Sequence, residues 1–194
     1  LWPDVSRVGA VDALLLSHSH RDHAGGFNLL TSVGNPRVHA SDIVRHLLPE
    51  SVSTLGLPLN DRTEVCGIGV TTGRNGHAPG GVWLHLDVGE GLLYMGDCSV
   101  ESTLYAYDPP PSAATAILDA SYGAYDIALT DCLSAFDRAF DEDPVLLPVP
   151  ASGRGPEIAL HVLRSGRGLP HIDEALRATM VRLTEDARAC VRPD

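Results

Sequence analysis

The chain has 194 residues, and 44% of them are hydrophobic, which is enough for one large domain or one and a half. Its formal net charge of −11 at pH 7 argues against the basic surface that nucleic-acid-binding domains usually carry. No apolar run approaches the roughly 20 residues that a transmembrane helix needs, so we expect no membrane partner.

The cysteines and the N-terminal residues indicate the cellular compartment of the protein. The 4 cysteines are widely spaced and form no Cys-x-x-Cys pair, which favours free thiols in a reducing cytoplasm. The first residues, from Leu1 to Val5, have neither the basic region nor the apolar segment of a signal peptide. We therefore expect a cytoplasmic protein. Because the chain lacks an initiator methionine, we also expect a fragment or a processed piece.

The most distinctive stretch is residues 17–26, where three histidines and one aspartate lie within six positions. It follows an apolar run at residues 11–16, a pattern that predicts a buried strand, a short loop and then a helix. His18 and His20 share a face of the extended chain, whereas Asp22 and His23 come as the chain turns into the helix. Neutral imidazoles and carboxylates are typical ligands of zinc, iron or manganese. The alternative, a polar loop with chance histidines, is disfavoured by this context.

The next part of the chain has mostly strand character. Ser41 and Asp42 are candidate caps of a helix that ends at Pro49, and residues 51–62 are predicted to be a loop. Strands are predicted at residues 37–40, 64–72, 82–88 and 92–95. A hairpin turn at residues 90–91 joins the last two strands.

Two further candidate ligands follow these strands. His77 lies in a glycine-rich loop at residues 73–81, and Asp97 follows Gly96 at the end of a buried strand. An ionised carboxylate at such a position is costly unless it is paired or bound to a metal. A helix cap or a turn would explain Asp97 equally well. Together with the first cluster, both residues become candidate metal ligands.

The last third of the chain alternates between apolar strands and amphipathic helices. A buried strand at residues 114–118 ends in Asp119, after a proline-rich linker at residues 109–111. Helices are predicted at residues 127–140, 158–163 and 174–189, and short strands at residues 145–149 and 169–172. This alternation predicts parallel strands with right-handed crossovers.

The order of the motifs resembles the metallo-β-lactamase superfamily. The matching motifs are His-x-His-x-Asp-His from His18, Gly-His-x-Pro-Gly from Gly76, and Gly-Asp from Gly96. The resemblance implies an α/β fold, the αββα sandwich, with a binuclear metal centre at one edge of its two sheets. The sandwich is expected to be incomplete at the N-terminus, because the family's opening strands do not precede the first motif.

A narrower resemblance is to the β-CASP branch, the nucleases of RNA processing and DNA repair. Residues 118–123 are similar to its acidic residue and Ser/Thr-Tyr-Gly turn, and residues 145–157 resemble its strand, Gly-Arg turn and Glu-bearing helix. This implies a metallo-β-lactamase-like core with the metal site at residues 1–125, and the start of a parallel α/β segment resembling the β-CASP domain at residues 126–194. Two later histidines of the branch have no match before Asp194, so one usual metal ligand has no counterpart.

The resemblance assigns roles to individual residues around two divalent metal ions, with zinc favoured and manganese or iron as alternatives. His18, His20 and His77 are implied to hold one ion, Asp22 and His23 the second, and Asp97 both. Asp22 would also orient the attacking water. Asp119 would lie behind the ligands and support protonation of the leaving group through one of the missing histidines, with capping of its own turn as the alternative. Arg154 is a candidate for binding substrate phosphate, with a structural pair to Glu157 as the alternative.

Three hypotheses for function follow. The first is a metal-dependent phosphodiesterase or nuclease that cleaves RNA or single-stranded DNA with a metal-bound hydroxide. The second is a hydrolase of a small ester, thioester, lactone or β-lactam on the same scaffold, which the acidity favours. The third is a non-catalytic, protein-binding homologue, which the filled ligand positions disfavour. The expected partners are single-stranded RNA and either the remainder of the chain or a second copy.

Overall fold

The computed structural model describes residues 5–142, 144–185 and 188–193, which contain two β-sheets. The first sheet is parallel, in the order β1-β2-β3, with strands Ala13–Leu15, Arg37–Ser41 and Thr54–Leu57. The second sheet, in the order β4-β5-β6-β7-β8, contains Arg62–Val65, Ile68–Arg74, Val82–Leu86, Leu92–Tyr94 and Thr115–Ile117. It is antiparallel except for the parallel pair of β7 and β8.

Helices lie around and after these sheets. The α-helices are α1 Arg21–Ala24, α2 Asp42–Leu47, α3 Leu129–Glu142, α4 Arg154–Arg164 and α5 Glu174–Glu185. Short 3₁₀ segments are Val5–Arg7, Phe27–Val33 and Arg188–Cys190. The predicted cap of α2 is confirmed, because the Ser41 hydroxyl accepts a hydrogen bond from the backbone N–H of Val44.

Membrane-spanning helices are absent from the described residues. None of their helices combines the length and the hydropathy that crossing a lipid bilayer requires.

The main core lies between the two sheets. Val82 and Leu84 of β6 point into it, as the predicted alternation requires, and pack with Leu57, Val65 and Val70. Trp83, between them, points to the other face of the second sheet and packs with Leu93, Met95, Tyr107 and Ala113. The outer face of the first sheet packs on the helical side, where Val38 and Ala40 meet Val44 and Phe27. The predicted α/β class, with a sandwich of two sheets, is therefore confirmed.

Two details of the predicted strands before residue 74 are wrong. The single strand predicted at residues 64–72 is a hairpin of β4 and β5, because Cys66 and Gly67 have φ values of 51° and 81° and turn the chain. The predicted loop at residues 51–62 contains β3, which forms by parallel pairing with β2. That pairing depends on residues distant in sequence, so the local pattern does not reveal it.

The strand predicted at residues 114–118 is present as β8, but the prediction that it is buried is wrong. It is the last strand of the second sheet and pairs only with β7 among the described residues. Ile117 is 49% exposed and Leu118 is 62% exposed. The apolar composition predicted the strand correctly. Because β8 lies at the edge of the sheet, the described residues do not cover these side chains.

The strands predicted after residue 125 do not form in the described part of the chain. Residues 145–149 and 169–172 belong to no strand, and Leu146 and Leu169 are 92% and 86% exposed. The prolines at positions 144, 148, 150 and 170 have no N–H to donate to a strand ladder. The prediction of a parallel α/β segment at residues 126–194 is therefore wrong for its strands, although α3, α4 and α5 lie where helices were predicted. The boundary after residue 125 stays a prediction.

A partly buried ion pair joins the end of β5 to the segment that covers Trp83. The Asp108 carboxylate accepts hydrogen bonds from Arg74 Nε at 2.8 Å, Nη2 at 2.6 Å and the backbone N–H at 2.8 Å. The Asp108 carbonyl accepts a further bond from Trp83 Nε1 at 2.7 Å. Hydrogen bonding from Arg74 lowers the pKa of Asp108 below its ordinary value.

Replacing Asp108 with asparagine is expected to lower the free energy of unfolding at pH 7 by about 1–2 kcal/mol. A carboxyl group with a depressed folded pKa contributes stability that is present above its unfolded pKa, near 3.8, and that is lost as the pH falls through the folded value. The deficit of the variant should therefore shrink below about pH 4. Urea unfolding of both proteins at pH 7, 5 and 3 measures it.

The matched control is Asp87→Asn, whose carboxylate pairs with Arg62 on the surface, where the two side chains are 43% and 63% exposed. It should cost less than Asp108→Asn at every pH, because water screens the exposed pair. A deficit of Asp108→Asn that stays constant from pH 7 to pH 3 would contradict the assigned role of its charge.

Candidate metal centre

Three loops at one edge of the sandwich bring the predicted ligands together. The first follows β1 and leads into α1, so that His20 precedes the helix and Asp22 and His23 lie in its single turn. The second joins β5 to β6 and carries His77, and the third follows β7 and carries Asp97. The first two loops are joined by a hydrogen bond from the N–H of Val82 to the carbonyl of Ser17.

Gly96 allows the first and third loops to touch. Its φ of 56° lies in the left-handed region, and a Cβ at this position would lie 2.8 Å from the Cβ and Oγ of Ser17. The glycine that precedes Asp97 in the sequence is therefore required by backbone approach. It places the Asp97 carboxylate beside the histidines of the first loop.

Two groups of side chains could each hold a cation. The ligand atoms of His18, His20, His77 and Asp97 all lie within 4.8 Å of one another, and so do those of Asp22, His23 and Asp97. Within the first group, His77 Nε2 is 3.0 Å from His20 Nδ1 and 3.4 Å from Asp97 Oδ2. Within the second, His23 Nε2 is 3.0 Å from Asp97 Oδ1. The two oxygens of Asp97 thus face different groups, as a carboxylate shared by two ions requires.

His18 provides the test of whether this group fits a metal ion. The side chain is 0% exposed, and its Nε2 has no hydrogen-bond partner among the described residues. Burial, followed by the charges of His23, His20 and His77, lowers the pKa of His18 to about 2. The imidazole is therefore neutral at pH 7, and a buried polar nitrogen without a partner is costly unless a cation binds it. The residues fit a bound divalent ion.

A turn from the last third of the chain orients His20. Its Nε2 lies 3.3 Å from the carbonyl oxygen of Ser152, which can only accept, so Nε2 carries the proton and Nδ1 is free to face His77. Such a partner fixes the tautomer and the ring orientation of a ligating histidine. Gly153 lies against the same ring, because a Cβ there would be 3.2 Å from His20 Cε1. For His77, burial and then the charge of His20 lower the pKa.

Imidazole nitrogens outnumber carboxylates in the first group, a donor set that zinc accepts, and the identity of the metal stays a prediction. The structure brings together all six predicted ligands: His18, His20, Asp22, His23, His77 and Asp97. The second group has fewer protein donors, and its Asp22 side chain is 75% exposed. The assignment of each residue to a particular ion stays a prediction.

The other two predicted site residues make structural contacts. Asp119 Oδ1 accepts hydrogen bonds from the N–H and the hydroxyl of Ser121, which is the turn-capping alternative. Arg154 Nη1 donates to Glu157 Oε2 at 2.8 Å, which is the structural-pair alternative, while 40% of its side chain stays exposed. The catalytic role of Asp119 and the substrate-binding role of Arg154 stay predictions.

Asn75, which was not among the predicted site residues, organises two of the three loops. It is 0% exposed, and its Oδ1 accepts a hydrogen bond from the backbone N–H of His77 at 3.1 Å. Its backbone carbonyl accepts from the N–H of Ser99, just after Asp97, at 2.9 Å. The available signal was an asparagine directly before a Gly-His motif. The contact of the Ser152 carbonyl with His20 could not be inferred from sequence, because it joins residues 132 positions apart.

Replacing Asn75 with alanine is expected to weaken metal binding by about 10–100-fold, because the variant releases the main chain of His77. Titration of the metal-free protein with zinc in competition with a chromogenic chelator measures this affinity. Thr72→Val is the matched control: Thr72 is 1% exposed on β5, which ends just before Asn75, and its hydroxyl donates to the carbonyl of Pro58, away from the centre. Both variants should lose stability, and equal losses of zinc affinity would contradict the positioning role of Asn75.

Residues 7–149 match the family model of the metallo-beta-lactamase superfamily. The match covers well over half of the chain, so the chain belongs to this superfamily and has the fold of a metal-dependent hydrolase. The cluster of histidines and aspartates at the sheet edge could supply the metal site of such an enzyme.

Among individual proteins, the chain is similar to transcription termination factor FttA of Cenarchaeum symbiosum (strain A), with 26% identity over 213 residues. The match covers 85% of this chain and 32% of FttA, so the chain spans about a third of that relative. Similar solved structures include a protein of unknown function from Enterococcus faecalis V583, with 16% identity and a TM-score of 0.47 over 91% of this chain and 45% of that one. Another is the subclass B3 metallo-beta-lactamase BJP-1 of Bradyrhizobium japonicum, with 18% identity and a TM-score of 0.36 over 91% of this chain and 70% of that one.

Proposed function

We propose that this chain carries the binuclear hydrolytic centre of a β-CASP-type phosphodiesterase that cleaves single-stranded RNA or, as a second substrate, single-stranded DNA. The proposal is carried by the contact of Ser152 and Gly153 with His20, because α4 begins directly after these two residues and so starts next to a candidate metal ligand. The similarity to a protein named a transcription termination factor supports a nucleic-acid substrate.

The start of α4 has the features of a phosphate site. Its cap position, Gly153, makes no side-chain hydrogen bond to the helix, so the first backbone N–H groups have no side-chain acceptor there. A helix N-terminus carries partial positive charge and favours phosphate. Arg154, the first residue of α4, adds a guanidinium that Glu157 holds in place through one of its nitrogens. A phosphate bound at the ions would therefore meet a positive rim.

The residues of the centre divide the chemical work. Divalent ions, when bound, supply Lewis acidity and lower the pKa of nearby water. His18 holds a neutral nitrogen ready in a buried position, and His20 is kept in one tautomer by Ser152. Asp22 is exposed at the mouth of the centre and accepts a proton or orients a water there. Arg154 and the amides of α4 neutralise charge that develops on the phosphate.

The net charge of −11 supports a second candidate, a hydrolase of a small lactone, ester or thioester. A strongly acidic surface repels a polyanion at long range, and salt screens this repulsion. For the first candidate, the positive groups at the centre must outweigh that repulsion locally.

The experiment compares cleavage of a labelled single-stranded RNA, the matching DNA and a small lactone by the zinc- or manganese-loaded protein. We expect RNA cleavage that His18→Ala abolishes, and we expect Arg154→Ala to raise KM for RNA about tenfold while changing lactone hydrolysis less. Arg177→Ala, an exposed arginine on α5, is the control for lost charge. Cleavage of the lactone alone would reject the nuclease and support the second candidate.

We also propose a cytoplasmic location and, as partners, the nucleic-acid substrate and either the remainder of the chain or a second copy. Three of the 4 cysteines are free thiols, which supports a reducing compartment: Cys66, Cys98 and Cys132.

A further inference from the structure

A second concave site lies away from the metal centre, between α4, α5 and the segment that follows α5. It has a volume of about 600 Å³, within the range of roughly 300–1,000 Å³ that small-molecule sites occupy. Eight of its twelve lining residues are apolar, among them Leu104, Leu160, Met180 and Leu183. None of the six candidate metal ligands lines it.

The rim of this cavity concentrates positive charge in an acidic protein. Three of its lining residues, Arg74, Arg188 and Arg192, are among the 14 arginine and lysine residues of a chain with net charge −11. Arg74 is neutralised by Asp108. Arg192 donates only to backbone carbonyls, those of Tyr105 and Val100, and Arg188 makes no ion pair with any residue that the structure describes. Two guanidinium charges at the rim are therefore without a carboxylate partner in the described chain.

We propose that this cavity binds a single-chain amphiphile with an anionic head group, of the fatty-acid class. The alkyl chain lies among Leu104, Leu160 and Leu183, where it removes apolar surface from water. The head group lies at Arg188 and Arg192, whose guanidinium groups match a carboxylate in charge and geometry. The combination of an apolar lining with a few convergent polar groups is what defines a small-molecule site.

Charge complementarity decides this occupant over others. An acidic peptide or a nucleic acid would leave the apolar lining uncovered, and a neutral lipid would leave the two guanidinium groups without a counter-charge. A cationic amphiphile of the same length fits the lining but meets two like charges, which disfavours it.

Isothermal titration of the metal-loaded protein with dodecanoate, below its micellar concentration, tests the proposal. Dodecanoate is expected to bind, and dodecyltrimethylammonium, with the same chain and the opposite charge, is expected to bind at least about tenfold more weakly. Arg188→Gln should weaken dodecanoate binding by about tenfold. Arg177→Gln, an exposed arginine of α5 that does not line the cavity, should leave it unchanged.

Two variants that fill the cavity test the position of the alkyl chain. Leu160→Trp and the more exposed Thr184→Trp should each reduce dodecanoate binding, and the second guards against misfolding of the first. Zinc content serves as the control that the metal centre is intact. Equal binding of the two amphiphiles, or binding that neither the arginine variant nor the tryptophan variants change, would overturn the proposal. Concentration-dependent dimerisation that the tryptophan variants abolish, without dodecanoate binding, would identify a second copy as the occupant instead.

Discussion

Asp97→Ala is expected to lower bound zinc from about two equivalents per chain to less than one. The reason is that Asp97 belongs to both candidate groups: Oδ1 lies 3.0 Å from His23 Nε2 and Oδ2 lies 3.4 Å from His77 Nε2. Removing it takes one ligand from each group at once, so both ions lose a donor. Elemental analysis after dialysis against buffered zinc measures the stoichiometry.

Comparison with two other variants makes this prediction specific to a shared ligand. Asp22→Ala removes a ligand from the second group only, so it should lose about one equivalent and retain the ion held by His18, His20 and His77. Asp12→Ala changes an exposed aspartate near β1 and should retain both. The rate of hydrolysis of whichever substrate the protein cleaves should fall by on the order of 10³-fold in Asp97→Ala. A variant that kept two equivalents would show that Asp97 does not bridge the groups.

Glu157→Ala is expected to lower the free energy of unfolding by about 2–3 kcal/mol. Glu157 is only 3% exposed, and its Oε1 accepts hydrogen bonds from the hydroxyl of Ser102 at 2.8 Å and the N–H of Thr103 at 2.5 Å. Its Oε2 accepts from Arg154. Truncation leaves the buried hydroxyl of Ser102 without its acceptor and removes the acceptor of the other two donors, which costs more than the net value of the bonds themselves. Urea denaturation monitored by circular dichroism gives the free energy.

Two further variants separate charge from hydrogen bonding at this position. Glu157→Gln keeps an acceptor oxygen for Ser102 and Thr103 but loses the ion pair with Arg154, so it should cost less than alanine. Glu64→Ala, on the exposed face of β4, should stay within about 0.5 kcal/mol of the wild type. A loss as small for Glu157→Ala as for Glu64→Ala would show that the buried carboxylate does not stabilise the fold.

The candidate centre could be predicted well because its chemistry is local in sequence. Four of the six ligands lie between His18 and His23, and the glycine before Asp97 marks a backbone approach that the structure contains. Strands β2, β6 and β7 were also predictable, because alternation between faces is a property of a few consecutive residues. A local pattern thus predicts the type of secondary-structure element and the face that this element buries.

The errors arise where structure depends on distant partners. Residues 145–149 are as apolar as a buried strand, yet strands form only where a neighbour supplies the other half of the ladder, and prolines remove donors. Strand β3 shows the opposite error. Its sequence does not have a strand pattern, yet it forms a strand because it pairs with β2. Asn75 and the carbonyl of Ser152 escaped prediction for the same reason. Each acts through a hydrogen bond that involves a backbone group, and residue type alone does not predict such a bond.

The contact between His20 and the carbonyl of Ser152 has a thermodynamic consequence. One side of this hydrogen bond is a candidate metal ligand, and the other belongs to the turn that starts α4. By linkage, if docking of this turn strengthens metal binding, then bound metal stabilises the docked turn by the same free energy. Removal of the metal should therefore increase the rate of amide hydrogen exchange in α4, although this helix contributes none of the six candidate ligands.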